Sequence, residues 1–143
     1  VREWQNTVGS NDRIYHLGDV SFYKEVAMRE LVASLPGYKV LILGNHDKHN
    51  VRWYLDVGFD EVFRKSIVLV RGSLTVVFSH YPIPKESLMG YRRPSTTRVV
   101  NIHGHVHNNG FKGATKNHAN VSVEVIDYRP VKLDEVIASF EEE

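Results

Sequence analysis

The sequence contains no cysteine. That excludes disulfides, thiolate metal sites and a cysteine nucleophile. It fits a reducing compartment, and a cytoplasmic location is expected. No apolar run approaches the ~20 residues that span a bilayer. The opening stretch VREWQNTVGSND lacks both an initiator methionine and the apolar segment of a signal peptide. Charge of one sign is also lacking. The formal net charge is +1, so nothing draws the chain as a whole to DNA or to a membrane surface. Low-complexity segments, internal repeats and linkers are absent from the sequence as well.

What is present is enough for a core. With 143 residues, 42% of them apolar, the expectation is one domain over 1–143. RIYHLGDV (13–20) reads as a short buried strand running into Gly18-Asp19. Residues 22–35 place Phe22, Val26, Met28, Leu31, Val32 and Leu35 at helical spacing, and Pro36-Gly37 stop that helix. YKVLILG (38–44) is apolar enough for a strand buried on both faces. A short helix over 48–57 ends at Gly58. From Val62 onward, VFRKSIVLVRG and LTVVFSH form two β-rich runs split by Gly72-Ser73, a hairpin signal. RVVNIHGH (98–105) and NVSVEVID (120–127) read as further strands, and KLDEVIASF (132–140) as a terminal helix. The class is α/β, with mixed sheets and helices packed outside.

The eight histidines are the unusual count. Polar clusters close the predicted strands: Gly18-Asp19, Gly44-Asn45-His46-Asp47, Ser79-His80 and Gly104-His105-Val106-His107. Ligands of open α/β sheets bind off the carboxyl ends of strands. If these ends share an edge, they gather two aspartates, an asparagine and four histidines. Imidazole, carboxylate and amide oxygen together suit Mn, Fe, Zn, Co or Ni better than Ca, which prefers oxygen alone. His105 and His107 lie two apart, so on a strand both rings would share one face. Two metals about 3.5–4 Å apart would clamp a phosphate ester and acidify a bridging water. Asp19 is the carboxylate suited to bridge them. His46 would stabilise phosphoryl oxygens or protonate the leaving oxygen, and Asp47 would orient its ring.

GDV (18–20), GNHD (44–47), SH (79–80) and GHVH (104–107) resemble, in this order, the motifs of the calcineurin-like metallophosphoesterase superfamily. The tail NVSVEVIDYRPVKLDEV is similar to the end of its small bacterial and phage single-domain members. The resemblance implies a four-layer sandwich, two stacked mixed β-sheets flanked by helices. It implies a metallophosphoesterase that hydrolyses a phosphomono- or phosphodiester through a dinuclear-metal-activated hydroxide. Two divalent transition metal ions, Mn, Fe, Zn or Ni, would be the cofactors. Asp19 would bridge them, Asn45, His80 and His105 would complete one site, and His107 would bind the other ion. His46 and Asp47 would be catalytic. The partner implied is a phosphate-ester substrate. Nucleic acid enters only as a substrate, and no membrane is called for.

The family's further motif, Asp-x-His on its first strand, has no counterpart before Gly18. Only Asn11-Asp12 comes near, in a turn. The simplest account is that this chain begins after that strand, leaving the second metal site incomplete and the chain a weak hydrolase by itself. The alternative is a non-catalytic metal-binding scaffold of the same fold that lost one metal site.

The remaining candidates read more plainly. His16 packs within its strand. His103 stands two before His105 but outside the motif, and reads as structural or as support for a ligand. His49 and His118 read as loop residues. Arg92 and Arg93 can fork onto a substrate phosphate, although an exposed basic loop is the simpler account. Asp127, Tyr128 and Pro130 shape the closing turn.

Overall fold

The computed structural model describes residues 8–18, 25–44, 47, 49–104, 115–121 and 130–141. Their architecture is mixed α/β, with two sheets of three and four strands and accompanying helices. The chain divides into two compact units, Val1–Lys65 and Ser66–Glu143.

The first unit orders β1 (Arg13–His16), α1 (Glu25–Ala33), β2 (Tyr38–Ile42), α2 (Val51–Val57) and β3 (Glu61–Phe63). Its sheet runs β1-β2-β3, with parallel pairing throughout. Central β2 carries Val40, Leu41 and Ile42 in succession, all buried. A parallel strand covered on both faces requires such an unbroken apolar run. Met28 and Val32 of α1 pack with Leu41, with Tyr54 and Val57 of α2, and with Phe59.

The sequence also explains where α2 starts and stops. The Asn50 side chain accepts the Trp53 N–H at 2.9 Å, a good N-cap. His49, just before the cap, stacks on Trp53 at 3.8 Å and lies edge-on to Tyr54 at 6.0 Å, a staple across the first turn. Gly58 ends the helix at φ 127°, a value open to glycine. Its N–H reaches Leu55 O at 3.2 Å while Phe59 N–H reaches Tyr54 O at 3.2 Å, a Schellman closure.

The second unit orders β4 (Ser66–Arg71), β5 (Leu74–Ser79), α3 (Lys85–Leu88), a 3₁₀ turn (Met89–Tyr91), β6 (Arg98–His103), β7 (His118–Asn120) and α4 (Leu133–Glu141). The sheet order is β4-β5-β6-β7. The expected hairpin joins β4 and β5 in antiparallel register, with Gly72 at φ 58°. The other two pairings are parallel. Every residue of β5 is buried, whereas edge strand β4 is half-exposed. Val77, Val99 and Leu88 form a core cluster here, with Val68, Ile83 and Tyr91 packed on it.

The run 62–72 is corrected by the structure. It is not one strand: Glu61–Phe63 belongs to the first sheet and Ser66–Arg71 to the second. The break falls at exposed Arg64-Lys65, a charged pair that neither sheet can bury. The last strand element begins at His118, earlier than expected, and 122–129 lie outside the described residues. Among the described residues, no helix is long and apolar enough to cross a membrane.

Candidate functional site

In the first sheet, His16 of β1 stands beside Leu41 of β2 in parallel register, so both strands deliver their carboxyl ends to one edge. Gly18 follows at φ 105°, with its N–H donating to His16 Nδ1 at 3.2 Å. That contact leaves Nδ1 unprotonated and turns the ring onto its own strand end. Asp19 comes next and lies outside the described residues.

After β2, Gly44 N–H donates to Asp47 Oδ2 at 2.7 Å, and Asp47 N–H returns to Gly44 O at 3.2 Å. The carboxylate expected to hold His46 thus also closes the loop that carries it. Asn45 and His46 lie outside the described residues. The Asp12 carboxylate takes the Gly9 N–H at 2.8 Å, at the amino end of β1.

In the second sheet, Ser79 of β5 faces His103 of β6, so His80 and Gly104 leave their strands at the same level. Gly104 N–H donates to His80 O at 3.0 Å, which joins the SH and GHVH motifs directly. His80 is only 3% exposed. Its ring meets Tyr81 edge-to-face at 4.9 Å and 82°. His105 and His107 lie outside the described residues. Among the described residues, no group of three or more His, Cys, Asp or Glu side chains converges as metal ligands.

The segment after His80 is pinned by Ser79, His118 and Asn101, and the sequence did not single out the last of these. Ser79 Oγ–H donates to Tyr81 O at 2.6 Å. Asn101, fully buried on β6, donates from Nδ2 to Val77 O and to Ser79 Oγ, both at 3.0 Å. Its Oδ1 accepts Ile83 N–H at 2.8 Å. His118 Nε2 donates to Ile83 O at 2.6 Å, while its Nδ1 accepts from Thr115. His118 is therefore a strand residue and a strap, not the loop residue expected. The signal for Asn101 was a lone amide inside the apolar run RVVNIH.

His103 is 1% exposed, and its Nδ1 contacts Gly104 O at 3.1 Å. Its ring packs against His118 at 6.0 Å. Burial holds its pKa below the ordinary histidine value, outweighing the Gly104 carbonyl, which raises it. The neighbouring His118 lowers it a little further.

Arg92 and Arg93 follow the 3₁₀ turn Met89–Tyr91. Arg93 N–H is bonded to Thr75 Oγ1 at 3.1 Å, and its guanidinium turns to Tyr91 O at 2.9 Å. Thr75 lies at the start of β5, five positions before His80, or roughly 16 Å along an extended strand. The Arg93 backbone is therefore anchored at the amino end of the strand. The loop is fixed there because Thr96, also bonded to Thr75, folds its turn back onto Arg93 O at 2.9 Å.

No known family model matches the chain. A solved structure, the protein of unknown function AQ665 from Aquifex aeolicus, superposes with a TM-score of 0.74 at 26% identity. That match covers 96% of this chain and 81% of the other, so the mixed α/β architecture is shared along nearly its whole length. The uncharacterized protein MJ1445 of Methanocaldococcus jannaschii is 33% identical over 153 residues, covering 99% of this chain and 73% of the relative. Identity at that level, over almost all of one protein and most of the other, places the chain in the same family as MJ1445.

Proposed function

We propose that the chain is a metal-dependent phosphoesterase acting on a phosphomono- or phosphodiester. The observation that carries this reading is the Gly104 N–H to His80 O bond, which brings two of its motifs together at neighbouring strand ends. Asp19 would be shared by two divalent transition metal ions. Asn45, His80 and His105 would complete one site, and His107 would serve the other. The four-layer metallophosphoesterase sandwich is part of the same proposal.

His80 fits such a role. It is an imidazole at a strand's carboxyl end, almost wholly buried, on backbone held by Ser79, Asn101 and His118. A ligand imidazole must be fixed in place and shielded from competing water. Ions bound there would neutralise phosphoryl charge and make water acidic enough to attack phosphorus. The chain's own residues would do the rest. His46 would deliver a proton to the departing oxygen, and Asp47 would limit the motion of the loop that carries it.

The test is hydrolysis of a chromogenic phosphodiester and monoester with added Mn. Activity should depend on the metal and vanish in Asp19→Ala. His46→Ala should be slower by about 10²–10⁴-fold. Equal rates for wild type and His46→Ala would remove His46 from the mechanism. Mn binding without any hydrolysis would favour a non-catalytic scaffold.

A further inference from the structure

Of the ligands that the motifs imply, His80 lies among the described residues, and its backbone is gripped from both sides. Ser79 is buried, and its Oγ–H donates to Tyr81 O at 2.6 Å, across His80. A hydroxyl has one proton, so this bond leaves Oγ as the acceptor toward Asn101 Nδ2 at 3.0 Å. The other amide proton goes to Val77 O, and Asn101 Oδ1 takes the Ile83 N–H. Donors and acceptors thus admit one orientation of the amide. It holds the chain at Val77 before His80 and at Ile83 after it. Asn101 itself stands on β6, the strand that leads into Gly104, and Gly104 N–H donates to His80 O. Fixed backbone angles restrict the rotamers open to the His80 ring.

We infer that Ser79 and Asn101 are positioning residues for the His80 imidazole, and that their hydrogen-bonded bridge sets the metal affinity of the site. The inference rests on the phosphoesterase reading for His80 as a ligand. It adds two side chains that act on the metal only through the His80 backbone. A ligand already aimed loses little freedom when the ion arrives. Groups that orient a ligand contribute about 10–100-fold in metal affinity. A bridge that only added stability would act differently: its loss would weaken the fold and leave the affinity of the folded chain unchanged.

Calorimetric binding of Mn to the full chain, without substrate, tests this. Ser79→Ala removes one hydroxyl and should weaken Mn binding about tenfold, at the lower end of that range. Val99→Ala is the control: it opens the buried core beside β5 and lowers stability, but touches no atom of the bridge. Its Mn affinity should equal that of the wild type. Cobalt in place of Mn gives a second readout, because its visible absorption follows ligand geometry. The cobalt spectrum should change in Ser79→Ala and not in Val99→Ala. Wild-type affinity in Ser79→Ala overturns the inference, and so does an equal loss in Val99→Ala. A wild type that binds no Mn overturns it together with the metal site. Failure of the phosphoesterase reading alone looks different: Ser79→Ala would still weaken Mn binding, but no ester would be hydrolysed by the wild type.

Discussion

A fully buried asparagine is an expensive residue unless all its polar atoms are used. Asn101 uses both ends of its amide, on Val77, Ser79 and Ile83. Asn101→Leu keeps the bulk but strands the Ile83 N–H and takes a donor from Ser79 Oγ. The expected loss is about 2–4 kcal/mol in urea unfolding; a change under about 0.5 kcal/mol would show that water takes over these partners. His103 makes a different prediction. Its folded pKa is lowered, first by burial, so the folded state keeps it neutral where the unfolded chain protonates at about 6.5. Its contribution is complete above that value and declines as the pH falls through it, because only the unfolded chain takes up the proton. Stability measured with EDTA present should drop from pH 7 to pH 5, and His103→Gln should flatten the decline. An unchanged slope in the variant would assign the dependence to other groups. The sequence reading of His103 as structural did not extend to this pH dependence, and the role of Asn101 was not legible. Asn101 looked like an irregularity in an apolar run, and His103 was separated from the motif only by the position of Gly104.

Elements were more legible where a local signal set them. The α2 cap, the Gly58 stop, the β4–β5 turn and the unbroken apolar β2 all carry their cause within a few residues. The division of 62–72 between two sheets did not, because pairing partners far along the chain decide it. The same holds for the docking of α4. Ile137 and Phe140 are its buried residues, but its last turn has no basic residue of its own. Arg98, at the start of β6, supplies one. Its guanidinium donates to Phe140 O and its Nε to Asn117 Oδ1, each at 2.6 Å, and a third bond reaches Lys116 O at 3.0 Å. A cation on a helix's last carbonyls satisfies groups that would otherwise need water. Arg98→Met should cost about 2–3 kcal/mol and speed hydrogen exchange along 133–141. Arg98→Lys should restore little, since one ammonium cannot replace a planar fork on three acceptors. Unchanged exchange in α4 would mean that Ile137 and Phe140 hold the helix without it.

At the scale of the molecule, the motifs could be read as letters, but their meeting could not. Parallel pairing of β1 with β2 and of β5 with β6 puts the motif-bearing ends on a common edge within each sheet, which no spacing in the sequence states. Thr75, at the start of β5, anchors the loop that carries Arg93. Ligands and acid should therefore separate in one measurement. Mn added at about a hundredfold over its dissociation constant stabilises a protein that binds it only when folded by about 2.7 kcal/mol. For a chain of this length that is a rise of several degrees in melting temperature, on the order of 5–10 °C. Asp19→Ala and His105→Ala should each abolish most of the rise, and EDTA should reverse it in the wild type. His46→Ala should leave it intact, because that side chain is assigned to a proton and not to a metal. A rise lost in His46→Ala would move His46 among the ligands. One retained in Asp19→Ala would deny Asp19 the shared position on which the two-metal reading depends.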